Sequence, residues 1–278
     1  MTYASLLVPV EAEPAIDHRL LLAIDLANQF GARLIGVGAE AWKSLLAGGE
    51  FDGGYAASDI AAEMDGIEAN LKRAEAKFRA AAGGVRQGTD WRSAMAAPIA
   101  EIAAEARAAD LVVTSRSARP GASDYNVAVP GALVLQAGRP VLVVPTEADK
   151  LDLTCALVAW KDTREARRAV VDALPLLKRA GAVVVAEVCY HSDAAAAKGR
   201  LDDVAAHLLR HGVRASTTVC VEDTDVRATD QFLDLADQHN AGLIVAGAYG
   251  RSRFQEWLFG GFTRELLTQT KRAVLLSH

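Results

Sequence analysis

The feature that most constrains this chain is an internal duplication, because a repeated pattern fixes the fold of both copies at once. The run Leu6-Leu7-Val8-Pro9-Val10 aligns with Ala156-Leu157-Val158-Ala159-Trp160. The same register continues without a gap to Gly31-Ala32-Arg33-Leu34-Ile35 against Gly181-Ala182-Val183-Val184-Val185. Further on, Ala109-Asp110-Leu111-Val112-Val113 matches Ala241-Gly242-Leu243-Ile244-Val245, and Arg139-Pro140-Val141-Leu142 matches Arg272-Ala273-Val274-Leu275. The copies meet near Pro145 to Leu153, where Glu147-Ala148-Asp149-Lys150 has the polarity of a short linker. The expected domains are residues 1–146 and 151–278, and a chain of 278 residues suits two small cores.

Within each copy, short apolar runs alternate with segments whose apolar residues recur at helical spacing, such as Leu20, Leu21 and Ile24. Strands are expected near 4–10, 33–38, 84–90, 110–114 and 140–144, then 154–160, 182–189, 213–221, 242–246 and 273–277. Alternation of this kind implies parallel strands joined by crossover helices. The fold class is therefore α/β: two tandem, doubly wound, five-stranded parallel modules related by an approximate two-fold. The closing strands, 140–144 and 273–277, should lie at sheet edges and pair or pack together, since an uncovered Val-Leu-Val-Val edge invites aggregation. The first copy also carries extra sequence, Ala47 to Tyr55, before a long helical pattern from about Ser58 to Ala82. That stretch reads as a surface loop or a lid, with Ser58 or Asp59 as the helix cap.

Charge and cysteine content narrow the function classes. A net charge of −5 offers no general attraction to nucleic acid or to anionic membranes. No basic run precedes the first apolar stretch, which Glu11 and Glu13 interrupt, so neither a secretory leader nor a membrane span is expected. Cys155, Cys189 and Cys220 fall in strand-like apolar runs without metal-ligand spacing and read as reduced core residues of a cytoplasmic protein.

In open α/β sheets, ligands bind beyond the carboxyl ends of the strands where the strand order reverses. The second copy has Gly247-Ala248-Tyr249-Gly250 after its fourth strand. Arg251 and Arg253 follow, and Gly260-Gly261-Phe262-Thr263 opens a helix. Glycines let backbone N–H groups approach an anion, a helix start attracts negative charge, and Thr263 and the arginines add donors. A tight turn and helix entry without ligand is the alternative reading of the same glycines. The first copy lacks the loop: Ser115-Arg116-Ser117-Ala118 stands in place of Gly247 to Gly250, and Val127 to Pro130 in place of Gly260 to Thr263. That copy is expected to be mainly structural.

The stretch from Gly247 to Thr263 resembles the universal stress protein signature G-x-x-G-x9-G-[ST], with Gly247, Gly250 and Gly260 in the signature positions. The strand and helix pattern of each half resembles the same family, and two modules in one chain are similar to its tandem members. The resemblance implies an adenine nucleotide alpha hydrolase-like fold. It also implies ATP or ADP, with Mg²⁺, bound once per chain in the second copy, phosphates on the glycine loop and adenine near Ala159, Trp160 and Val185. Gly261 replaces the signature hydroxyl residue, and Lys161, followed by Asp162, replaces the family's acidic residue at the end of the first strand. Lys161 reads either as a phosphate contact or as a solvated cation paired with Asp162 or Glu165. Glu11 keeps an acid at the equivalent place in the first copy.

The implied function is a stress-response regulatory protein that works through a ligand-biased surface, an unidentified regulatory partner and homodimerisation. A ligand-free interaction scaffold and a slow ATPase are the alternatives. His207 and His211, at i and i+4, read as helix-surface histidines rather than metal ligands, and Cys189 with His191 lacks an orienting acid. Arg164, Arg167 and Arg168 with Glu165 read as a solvated helix face. Trp42, Trp91, Trp160 and Trp257 read as packing residues, the last two beside the crevice.

Overall fold

A computed structural model describes residues 2–14, 17–42, 57–116, 130–223, 225–248 and 261–278, the side chains of 57 and 58 excepted. The strands are β1 (Ser5–Pro9), β2 (Arg33–Ala39), β3 (Thr89–Ala94), β4 (Leu111–Ser115), β5 (Val141–Val144), β6 (Cys155–Ala159), β7 (Ala182–Cys189), β8 (Ser216–Val221), β9 (Leu243–Gly247) and β10 (Ala273–Ser277). The helices are α1 (His18–Phe30), α2 (Ala57–Ala82), α3 (Pro98–Glu105), α4 (Pro130–Ala137), α5 (Arg164–Leu177), α6 (Ala194–Arg210), α7 (Ala228–Gln238) and α8 (Gly261–Gln269).

The chain forms two compact units. One holds Tyr3–Ala137 with Thr146–Lys150; the other holds Leu151–His278 with Gly138–Pro145 and the first two residues. In the first unit the strand order is β3-β2-β1-β4, and β2 lies parallel to both β1 and β3. In the second it is β5-β10-β9-β6-β7-β8, parallel throughout except at β5. Order reverses between β1 and β4 and again between β6 and β9, so both copies share the doubly wound plan expected from the duplication. Helices cover these sheets, and β1, β4, β5, β6, β9 and β10 are almost wholly buried, which is why their sequences are continuous apolar runs.

The closing strands pair, as expected, but not as edges. β10 lies between β9 and β5, with Val274 opposite Val143 and Leu276 opposite Val141 in an antiparallel register. The last strand of the first copy is therefore packed with the second copy, and the Val-Leu-Val-Val run is covered on its β10 side.

Two strand boundaries differ from the sequence expectation for a local reason. Residues 84–88 form turns rather than strand, with Val85 N–H donating to Ala82 O and Gly88 N–H to Val85 O, so β3 begins only at Thr89. Val213 is buried by the turn that ends α6, where its N–H donates to Leu208 O, so β8 begins at Ser216. In both places an apolar residue that seals a helix end looked like the start of a strand. Asp59 sits in the first turn of α2 rather than at its cap, and the extra stretch Ala47 to Tyr55 lies outside the described residues apart from that helix.

Candidate functional site

The crevice of the second copy is built at the ends of β6, β9 and β10. Ala159, the last residue of β6, is level with Ala246 on β9, and Gly247 is level with Ser277 on β10. β6 runs directly into α5, whose start is capped by Thr163: its Oγ1 accepts from Ala166 N–H at 3.3 Å. The first turn of α5 lies on β9 at Gly247. A Cβ built there would stand 2.4 Å from Ala166 N and 2.5 Å from the Glu165 carbonyl carbon. Gly247 is therefore demanded by helix packing irrespective of any ligand. Gly261, the first residue of α8, has open space where a Cβ would be.

Two buried polar atoms at this end of the sheet lack a hydrogen-bond partner among the described residues: Trp160 Nε1 and Ser277 Oγ. Trp160 is 9% exposed, and its backbone N–H is used by Ala186 O at 2.8 Å, which leaves the indole N–H as its free donor. Buried polar groups without partners are uncommon and mark places where water or a ligand completes the bonding. Neither was legible as such in the sequence, where Trp160 read as packing and Ser277 as the end of a strand.

Lys161 is exposed, and the partners expected for it are engaged elsewhere: Asp162 with Arg167, and Glu165 with Arg164. Its backbone O accepts from Thr163 N–H at 2.6 Å. The mixed-charge face of α5 needs correction at one residue. Arg164, Arg167 and Arg168 are exposed, but Glu165 is only 2% exposed. Burial pushes its carboxyl up, and the Arg164 guanidinium, its own backbone N–H and Thr163 together bring it below the ordinary value.

Of the other expected contacts, Val185 is fully buried in mid-β7, paired with Val158. Phe262 packs edge-on against Phe232 of α7 with centroids 5.6 Å apart, and Thr263, in the first turn of α8, is buried. Gly250, Arg251, Arg253, Trp257 and Gly260 lie outside the described residues, as do Ser117, Ala118 and Val127 in the first copy.

The equivalent end of the first copy is occupied by a charge network. Asp17 caps α1, its Oδ1 accepting from Leu20 N–H at 3.2 Å, while Arg19 donates to Oδ2 at 2.9 Å and Lys77 of α2 approaches the same oxygen at 3.7 Å. Arg19 also lies 3.9 Å from Glu11, the acid that the sequence singled out there. Burial pushes the Asp17 carboxyl up, yet Arg19, Lys77 and the Leu20 N–H hold it below its usual range. This cluster is not legible in the linear pattern, because Asp17 and Arg19 look like ordinary surface residues of a helix start.

The remaining candidates are placed as follows. His207 and His211 stack edge-on with centroids 4.7 Å apart, and no group of three metal-ligating side chains occurs among the described residues. Cys155 and Cys189 are buried, but Cys220 is only half-buried, beside Gln231, so the core reading fails for that one thiol. Trp42 Nε1 donates to Glu63 at 2.7 Å, and Trp91 stacks on Phe78. Among the described residues no helix is long and apolar enough to cross a membrane.

Comparison with known proteins places this architecture. Residues 156–278 match the family model described as Universal stress protein family. Among solved structures, a universal stress protein from Archaeoglobus fulgidus DSM 4304 superposes with a TM-score of 0.69 at 16% identity, covering 98% of this chain and 95% of its own. A functionally unknown protein from Pseudomonas aeruginosa PAO1 gives 0.59 at 16% identity over 99% and 92%. One titled a putative universal stress protein, from Pseudomonas aeruginosa UCBPP-PA14, gives 0.58 at 16% identity over 99% and 93%. No curated protein matches the sequence. The two-module fold is thus shared over nearly the full length of those structures, and the second copy, residues 156–278, is the part that matches the universal stress protein family model.

Proposed function

We propose that the chain is a stress-response regulatory protein that binds one adenine nucleotide, ATP or ADP, in its second copy. One observation carries this reading: the family match covers the half that keeps Gly247, Gly250 and Gly260, and the first of these sits at the strand-order reversal. The residues there suit such a ligand. Lys161 offers a cation uncommitted to its acidic neighbours, Trp160 Nε1 a desolvated donor, and Gly261 an unobstructed helix start. In this reading the nucleotide supplies a charged phosphate chain with its Mg²⁺. The protein positions it with backbone donors of the glycine loop, and adenine lies toward Ala159 and Trp160. The output is a biased conformation or surface for a regulatory partner rather than rapid chemistry.

The ligand-free scaffold has one observation in its favour: Gly247 is required by the approach of α5 whether or not anything binds. Titration calorimetry with ATP and ADP, with and without Mg²⁺, separates the two. The nucleotide reading expects one site per chain, abolished by Gly250→Asp and unchanged by Ser117→Asp. Lys161→Asp should weaken binding about tenfold or more if the ammonium meets phosphate. Tighter Mg-nucleotide binding by that variant would instead mean that the lysine displaced a useful carboxylate. Absence of binding by the wild type at millimolar nucleotide would leave the scaffold standing.

A further inference from the structure

The acids around the crevice of the second copy are already engaged. β6, β9 and β10, whose ends build it, carry none. In the passage from β6 into α5, Asp162 pairs with Arg167, and Glu165, in the first turn of α5, pairs with Arg164. Further along α5, Asp172 pairs with Arg168 at 3.0 Å. The single acid of α8, Glu265, accepts from Arg227 at 3.2 Å. Every carboxylate on these elements therefore carries a guanidinium. No group of three His, Cys, Asp or Glu side chains able to hold a metal occurs among the described residues.

Mg²⁺ on a nucleotide asks for a different surrounding. It takes near-octahedral oxygen ligands, commonly one or two protein carboxylates added to phosphate oxygens and waters. A carboxylate held by arginine must give up a charge-assisted hydrogen bond to serve it, and Glu165, 2% exposed, is closed to a hydrated ion. The residues present do not fit the metal. What they offer instead is a cation. Lys161 stands two residues beyond Ala159, exposed, and makes no ion pair among the described residues. Its backbone is fixed in a tight turn, since Thr163 N–H donates to Lys161 O at 2.6 Å. The end of β9 with Gly247 lies one strand across, about 4.8 Å away, within the span of a lysine side chain. An ammonium and a divalent ion compete for the same phosphate oxygens and repel each other at such distances. We infer that the second copy binds its adenine nucleotide free of metal, the Lys161 ammonium taking the charge-neutralising place that a divalent ion would otherwise fill. This rests on the nucleotide reading above and parts from it over Mg²⁺.

Titration calorimetry of ATP into the full-length chain, once in EDTA and once in excess Mg²⁺, tests this. The wild type should bind about tenfold more tightly in EDTA. Lys161→Met, which keeps the stem and removes the charge, should lose about tenfold in EDTA and no longer distinguish the two conditions. Lys161→Asp, which puts an acid at the same point, should bind more tightly with Mg²⁺ than without it. Lys161 is exposed, so these variants keep the fold. Wild-type binding that is tighter in Mg²⁺, or equal in both conditions, would overturn the inference and leave the nucleotide reading intact. A preference for EDTA that survives Lys161→Met would overturn the role given to the lysine. Absence of binding in both conditions at millimolar ATP would end the nucleotide reading and this inference with it.

Discussion

Replacing Gly247 by alanine separates what the fold requires of this residue from what a ligand would. The added Cβ would stand 2.4 Å from Ala166 N, and ordinary contact begins near 3.4 Å, so the first turn of α5 must retreat by about 1 Å. Ala166, Ala169 and Val170, all buried on the sheet side of α5, would lose a quarter to a half of their dispersion contact energy over such a gap. A cost of about 3 kcal/mol to the second unit is expected, at the upper end for inserting one carbon into packed structure, because the obstacle is backbone rather than a movable side chain. Native-state hydrogen exchange reads this locally and does not require the two units to unfold together. The slowest amides of β6, β9 and β10 should exchange about a hundredfold faster. Gly261→Ala, with open space at its Cβ and a helical position, should leave them unchanged or slightly slower. If Gly247→Ala shifts protection by less than about threefold, the close approach of α5 is not what holds glycine there. A variant that keeps protection but loses nucleotide would assign the residue to the ligand instead.

Three further outcomes are expected. Asp17→Asn should destabilise the first unit by about 3 kcal/mol at neutral pH, because buried Arg19 loses its charged partner at 2.9 Å and keeps only Glu11 at 3.9 Å. The folded Asp17 pKa lies below the ordinary 3.8, so the carboxylate's contribution is complete above 3.8 and is lost as pH falls from there through the lower folded value; urea midpoints of wild type and variant should converge over that acid range. Trp160→Phe removes a buried donor that has no partner among the described residues, so stability should change by less than about 1 kcal/mol while ATP affinity falls about tenfold; the reverse pattern in calorimetry and denaturation would make the indole a packing group only. Burial raises the pKa of all three thiols, so alkylation near neutral pH should be slow, with half-buried Cys220 reacting first and Cys155 and Cys189 only on unfolding; mass spectrometry showing Cys155 modified first would refute the burial order.

The fold was legible because both copies obey the same rules: apolar runs such as Leu111 to Val113 and Leu243 to Val245 can only be strands covered on both faces. Helix ends were less readable, since Val85 and Val213 are apolar for reasons of capping rather than pairing. The strand-order reversal beside Gly247 could be located from the order of elements, but the side-chain chemistry around it could not. That Lys161 stands apart from Asp162 and Glu165 depends on which neighbour each arginine of α5 selects, and that is settled by side-chain geometry. The Asp17–Arg19–Lys77 network escaped for a similar reason, joining residues of α1 and α2 that nothing in the linear pattern connects.

The pairing of β5 with β10 also sets a timetable. Val143 leaves the ribosome about 130 residues before its partner Val274, which at 5–20 residues per second is a wait of roughly 7–26 s. During that interval the nascent chain carries an apolar strand whose antiparallel neighbour has not yet been made. Chaperone dependence should therefore be concentrated in the time it takes to translate the second half. A chain cut at the linker after Pro145 would present the same vacancy from the other side, as a β10 with one flank bare.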